Sequence, residues 1–174
     1  NYITDDPSLR WSPFWSVGGA WNIGREDFMK DMAFVNNLSL RATYGMNGNA
    51  EKGTSTKTLL NVGTSLNATT GTITATISDY GNPLLRWEKT TTTNIGLDFG
   101  LFKGKLMGKI DYYKKNGSDL VGLVTLAAAN GTTSQKFNNA KMVNNGIELS
   151  LGTQIDLPGI PVEYQTMVTY AYNK

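Results

Sequence analysis

The stretch "NIGLDFGLFKGKLMGKIDYY", residues 94–113, alternates apolar and polar side chains, breaks briefly, and alternates again. Ile95, Leu97, Phe99 and Leu101 are separated by Asn94, Gly96, Asp98 and Gly100. After Phe102-Lys103-Gly104 the beat resumes, with Leu106, Ile110 and Tyr112 on one parity and Lys105, Lys109 and Asp111 on the other. A period of two sends successive side chains to opposite faces of a strand. The stretch is therefore a hairpin with one apolar and one polar face. A soluble β-domain buries the apolar face as core, whereas an outer-membrane barrel turns it toward lipid.

Six strand segments follow from alternation and from Gly, Asn and Pro punctuation. "WSPFWSVGGAWNIG" places Trp15, Val17, Trp21 and Ile23 on one parity, and "NNLSLRATYG" does the same with Leu38, Leu40, Ala42 and Tyr44. The opening hairpin supplies two more. In "GIELSLGTQIDL", Ile147, Leu149, Leu151 and Ile155 oppose Glu148, Ser150, Gln154 and Asp156. In "VEYQTMVTYAYN", Val162, Tyr164, Val168, Tyr170 and Tyr172 oppose Glu163, Gln165, Thr169 and Asn173. Each is close to the roughly 9–11 residues a tilted strand needs to cross a bilayer.

The connections differ in length. Residues 24–35, with "REDFMKDM", allow one or two helical turns, and residues 102–105 and 158–161 ("PGIP") are tight turns. Residues of about 46–87 and 114–144 are long polar stretches rich in Thr, Asn and Gly. Compact soluble domains seldom carry loops of that length. Outer-membrane barrels do, on their extracellular side.

Turn positions fix testable registers. A two-residue turn at Lys103-Gly104 sets Leu101 against Leu106, Phe99 against Gly108, Leu97 against Ile110 and Ile95 against Tyr112. On the other face it sets Asp98 against Lys109 as an opposite-charge pair. A "PGIP" turn sets Ile155 against Tyr164, Leu151 against Val168 and Leu149 against Tyr170. It also sets Asp156 opposite Glu163, two like charges that must splay into water.

Composition excludes several classes. A net charge of +2 gives no electrostatic case for nucleic acid. No run approaches the roughly 18 consecutive apolar residues of a membrane helix, which leaves a barrel open. The chain holds neither cysteine nor histidine, removing disulfides, thiolate chemistry and the commonest general base and metal ligand. No signal peptide is visible in the polar opening "NYITDDPSLRW", and "TYAYNK" stops in what reads as mid-strand, so the chain reads as an internal piece of a longer protein. Aromatics gather near segment ends (Trp11, Trp15, Trp21, Phe102, Tyr112, Tyr113, Tyr170, Tyr172), as expected of membrane-interface girdles. The expected fold is all-β: an antiparallel transmembrane β-barrel segment of about six strands from a larger barrel. The competing reading is a soluble or surface-attached β-rich adhesion or binding module.

"NPLLRWEKTTTTNIGLDFGLFKGKLMGKIDYYKKNGSDLV" (82–121) resembles a signature stretch of SusC/RagA-type TonB-dependent outer-membrane receptors of Bacteroidetes. Its landmarks are Asn82-Pro83, Trp87-Glu88-Lys89, Asn94 to Asp98 and Asp111-Tyr112-Tyr113. "FWSVGGAWNIGREDFMKD" (14–31), "NNLSLRATYGMNGN" (36–49) and "NNGIELSLG" (144–152) are similar to further family stretches, in family order. The resemblance implies the C-terminal half of a large barrel, 22 strands being the usual size of plugged transporters. It also implies import of bulky nutrients, glycans or peptides, in partnership with a SusD-like lipoprotein and driven by the TonB complex. The plug and TonB-contact segment would precede Asn1.

Chemistry is sparse. No nucleophile–base set supports an enzyme, and no cofactor site stands out. "GNAEKGT" (48–54) nearly spells a phosphate loop but lacks the lysine after its second glycine. Asn37, Asn67, Asn116 and Asn130 head glycosylation triplets that chance explains in so Asn- and Thr-rich a chain. Asp5-Asp6 offers carboxylates to a hard cation, or is a solvated loop. Glu26 and Asp27 fit a short turn. Arg41, Asp98, Lys109, Asp111 and Glu148 share the polar parity of their strands and are the candidates for the lumen wall. They touch plug or cargo, or form a hydrated wall of cross-strand pairs. Tyr80 and Trp87, near a loop–strand boundary, are candidates for stacking on cargo, with an interfacial role equally open to Trp87.

Overall fold

A computed structural model describes residue 4, residues 6–156 and residues 163–174. Its strands are β1 (Trp15–Trp21), β2 (Val35–Asn49), β3 (Leu59–Leu66), β4 (Ile73–Asp79), β5 (Glu88–Leu101), β6 (Leu106–Thr125), β7 (Ser134–Asp156) and β8 (Glu163–Asn173). Six form one sheet in the order β1-β2-β5-β6-β7-β8, and β3-β4 form a separate two-stranded ribbon. All six expected strands are present in that sheet. The connection between β1 and β2 contains two short 3-10 turns, Ile23–Arg25 and Asp27–Met29.

The registers keep apolar parities together. β1 pairs antiparallel with β2 so that Val17 faces Tyr44 and Trp21 faces Leu40. In the β7–β8 pair, Ile155 faces Tyr164, Leu151 faces Val168, Leu149 faces Tyr170 and Asp156 faces Glu163, as counted from "PGIP". The turn residues themselves, with Val162, lie outside the described residues. Glu163 Oε1 accepts hydrogen bonds from the side-chain amides of Gln154 and Gln165.

Between β5 and β6 the reversal includes the Lys105 N–H to Phe102 carbonyl bond (3.3 Å) expected of a Lys103-Gly104 turn. Phe102, Lys103 and Gly104 all have positive φ, and the Gly104 N–H also reaches the Leu101 carbonyl at 3.1 Å. Phe102 tolerates this conformation because its N–H is held by the Phe34 carbonyl at 2.7 Å and its ring stacks on Phe34.

The two stretches expected to be long loops need correction. Within 46–87, β2 continues to Asn49 and the β3–β4 ribbon follows. Within 114–144, β6 and β7 run on to lengths of 20 and 23 residues, leaving only residues 126–133 and a 3-10 turn at Ala128–Asn130 as connection. A strand that is polar on both faces carries no period-two signal, so its polarity read as loop. The ribbon turns at Asn67, whose Oδ1 accepts the N–H groups of Thr69 and Thr70. That use of the side chain accounts for one glycosylation-like triplet as turn chemistry. At the ribbon's root the Asn82 N–H meets the Ser55 carbonyl at 2.7 Å and Thr58 Oγ1 donates to the Tyr80 carbonyl at 3.0 Å. Gly81 completes the closure at φ +70°, where a Cβ would lie 2.6 Å from the Lys57 carbonyl oxygen.

The chain divides into two compact units. The first comprises residues 1–14, 47–90 and 117–142, and the second residues 15–46, 91–116 and 143–174. Among the described residues the only buried apolar side chains are Met29 and Leu85. The apolar parity of the sheet is exposed instead, Val17 at 62% and Val168 at 63%, whereas Asp111 of the polar parity is 7% exposed.

Candidate functional site

In the second unit the polar parity of β2, β5, β6 and β7 converges on one recess of about 300 Å3, lined by Arg41, Asn94, Lys109, Asp111, Tyr113 and Glu148 together with Thr92 and Lys115. Arg41 on β2 places Nε 2.6 Å from Asp98 Oδ2 on β5 and Nη2 3.2 Å from Asp111 Oδ1 on β6. Lys109 closes the set at 3.1 Å from Asp111 Oδ2. Asp98 is thus taken by Arg41, whereas the hairpin register had paired it with Lys109. Guanidinium geometry explains the preference, since Arg41 engages both Asp98 oxygens, a fork that an ammonium cannot offer.

Arg41 reaches Asp111 by crossing β5 at Gly96. A Cβ there would lie 2.5 Å from Asp111 Oδ1 and 2.7 Å from Arg41 Nη2, so any side chain at this position displaces the ion pair. The device recurs: Tyr113 on β6 donates its hydroxyl to Asn173 Oδ1 on β8, passing over Gly146 of β7, where a Cβ would sit 2.7 Å from that hydroxyl. On the other face the ring of Phe99 covers Gly108, 2.1 Å from where its Cβ would be, as the register predicts. The Arg41–Asp111 and Tyr113–Asn173 crossings lace strands that are not sheet neighbours. Sequence reasoning placed Arg41, Asp98, Lys109, Asp111 and Glu148 on one face, with Asn94 and Gly96 on the parity of Asp98, but did not single out Asn94, Gly96, Tyr113, Lys115 and Gly146 as site residues. All five share that parity, so the signal was present.

The first unit holds a different polar cluster. Asn138, 7% exposed, uses its side-chain amide as a strand would: Oδ1 accepts the Arg86 N–H at 3.0 Å and Nδ2 donates to the Arg86 carbonyl at 2.8 Å. Nδ2 also donates to the Asp119 carbonyl at 2.7 Å. The Arg86 guanidinium reaches Asp119 Oδ1 at 2.7 Å and the Asn138 carbonyl at 3.1 Å. Buried Asn82 turns the chain, its Oδ1 accepting the Leu84 N–H. Glu88 accepts the Val121 N–H and the Asn49 amide, each at 2.8 Å. The signature residues Asn82, Arg86 and Glu88 thus organise backbone.

Trp87 is engaged in this unit as well. Its indole N–H donates to the Arg10 carbonyl at 2.8 Å and Phe14 packs edge-on at 5.4 Å, an arrangement that ties down the segment before β1. Tyr80 lines a recess of about 210 Å3 with Asp79, Gln135 and Lys136. Its hydroxyl lies against Gly131. Two weaker candidates have local explanations. In "GNAEKGT" the Gly53 N–H is occupied by Glu51 Oε1 at 3.0 Å. Asp6 caps Ser8, accepting its hydroxyl and its N–H, and these bonds hold the carboxyl below the usual carboxylate range. Asp5 lies outside the described residues. Glu26 accepts the Trp21 indole N–H at 2.8 Å, and Asp27 pairs with Lys30.

An antiparallel sheet that exposes its apolar face and laces its polar face with ion pairs is the wall of a transmembrane β-barrel. The chain matches the family described as TonB dependent receptor-like, beta-barrel, over residues 2–174. TonB-dependent receptor P26 of Formosa agariphila is 36% identical over 153 residues, covering 87% of this chain and 15% of that protein. TonB-dependent receptor SusC of Bacteroides thetaiotaomicron is 32% identical over 151 residues, covering 83% and 15%. Among solved structures, the RagAB peptide importer in its "closed-closed" state superposes with a TM-score of 0.82 at 30% identity, over 96% of this chain and 18% of that one. Its "open-open" state gives 0.82 at 29% identity, over 99% and 18%. The chain belongs to the TonB-dependent receptor β-barrel family, of the SusC/RagA type, and so to the outer membrane. It spans 15 to 18% of the length of these relatives.

Proposed function

We propose that this chain forms part of the wall of a TonB-dependent importer that carries bulky nutrients, glycans or peptides, across the outer membrane. It works by capture and gated passage rather than catalysis, with a SusD-like lipoprotein at the cell surface and energy from the TonB complex. The observation that carries this reading is the inside-out sheet. Exposed Val17, Tyr44, Ile95, Ile147, Val168 and Tyr170 face lipid, and Arg41, Asp98, Lys109, Asp111 and Glu148 face the lumen. The first unit, with the β3–β4 ribbon, Tyr80 and Trp87, lies on the extracellular side.

Two measurements test it. In vesicles, Val168→Lys in the full-length receptor costs about 2–4 kcal/mol of folding free energy if that residue meets mid-bilayer lipid, and Thr169→Lys on the opposite parity leaves it nearly unchanged. Equal losses would sink the face assignment. Deleting the receptor from its host abolishes growth on one class of oligosaccharide or peptide as sole nutrient. Wild-type growth on all of them would sink the importer reading.

A further inference from the structure

In the first unit three cations gather around one carboxylate. Asp119 Oδ1 accepts Arg86 Nη2 at 2.7 Å, and Lys89 Nζ stands 3.9 Å from Asp119 Oδ2. Lys141 is close enough for its field to act on the same carboxyl. The Arg86 hydrogen bond, and then the charges of Arg86, Lys89 and Lys141, hold that carboxyl below the usual carboxylate range. Arg86 is already engaged, since its Nη2 also donates to the Asn138 carbonyl. The lysines are less committed: 3.9 Å exceeds hydrogen-bond length, and Lys141 is exposed.

Strand parity fixes the face of this cluster. Lys89 lies on β5 in the parity of Ile95, Leu97 and Phe99, and Lys141 on β7 in the parity of Val143, Ile147 and Leu149. Both are lipid parities. Asp119 joins them although Leu106 and Tyr112 set the opposite parity on β6, because its φ of +55° breaks the alternation there. In the sheet β5, β6 and β7 are consecutive, with β2 and β8 on either side, so closing the barrel places no further strand beside them. Cargo passes on the other face. Like charges gathered on the outward face, where β5 and β7 pass from Ile95 and Val143 to polar residues, attract an anionic headgroup. Their long stems let the ammonium groups reach it.

We propose that Lys89 and Lys141 form a headgroup site on the outer rim of the barrel, which holds the phosphate of an anionic outer-membrane lipid. The proposal rests on the face assignment above. Its test titrates the detergent-solubilised full-length receptor with pyrene-tailed phosphatidylglycerol or phosphatidylcholine and reads energy transfer from tryptophan. The anionic lipid binds more tightly, and its margin shrinks as salt is raised. Lys89→Gln and Lys141→Gln each weaken it about fivefold without changing phosphatidylcholine. Asp119→Asn keeps a side chain suited to positive φ and removes the competing anion. It therefore tightens phosphatidylglycerol, a gain that misfolding would not produce. Equal affinity of wild type and both lysine variants for phosphatidylglycerol overturns the site. So does unchanged or weaker binding in Asp119→Asn with a lower melting temperature, because the cluster then only holds its strands together. Displacement of the lipid by inorganic phosphate beyond a chloride control of equal ionic strength overturns the lipid as occupant in favour of a free anion. Failure of the face assignment registers separately, as equal losses for Val168→Lys and Thr169→Lys.

Discussion

The two units solve the same problem, polar groups gathered in a β-sheet, with different chemistry. In the first, the neutral amide of Asn138 stands in for a missing strand and pairs with backbone at Arg86 and Asp119. In the second, side chains bond to side chains, Arg41 to Asp98 and Asp111, across the polar face of the sheet. Removing a backbone substitute leaves buried donors and acceptors with nothing in reach, whereas a half-exposed ion pair can exchange its partner for water. The amide cluster therefore carries more stability per group than the charged one.

The largest expected effect breaks the amide cluster. Asn138→Leu leaves the Arg86 N–H, the Arg86 carbonyl and the Asp119 carbonyl short of a partner, at a cost of about 3 kcal/mol, measured by denaturant unfolding of the reconstituted receptor. A cost near that of an exposed substitution would erase the contrast. Next comes the crossing in the second unit. Gly96→Val costs about 1–3 kcal/mol through overpacking, and most of that cost disappears in an Arg41→Ala/Asp111→Ala background because the atoms it strikes are gone. A penalty that persists there would mean that backbone, not the ion pair, requires the glycine. The smallest effect is Trp87→Phe, which keeps the packing on Phe14 and loses one hydrogen bond to Arg10, about 0.5–1.5 kcal/mol. It should show first as proteolysis of the segment before β1.

How much of this was legible in the sequence depended on whether a turn lay nearby to count from. The β7–β8 register follows from "PGIP" without error across every predicted pair, and Phe99 over Gly108 follows from the opposite hairpin. Arg41 finding Asp98 did not follow, because β2 and β5 are separated by 38 residues that include a whole ribbon, and no short turn fixes their offset. The ribbon had its own signal, Leu60 and Val62 on one strand with Ile73, Ala75 and Ile77 on the other, but its threonines and glycines outweighed it. Asn138 had none. It sits in "KFNNAKMVNNG" among residues polar on both parities, and its role depends on a partner 52 positions away.

The closed root of the β3–β4 ribbon has a consequence for how such a receptor can change. The Asn82–Ser55 and Thr58–Tyr80 bonds bring the ribbon's two ends together, so residues 59–79 form a cassette whose entry and exit adjoin. Such a cassette can be exchanged, shortened or replaced by a tag while the chain on either side keeps its register. The bonds at Ser55, Thr58, Tyr80 and Asn82 form the socket, and new surface sequence can be carried in and out without renegotiating the sheet.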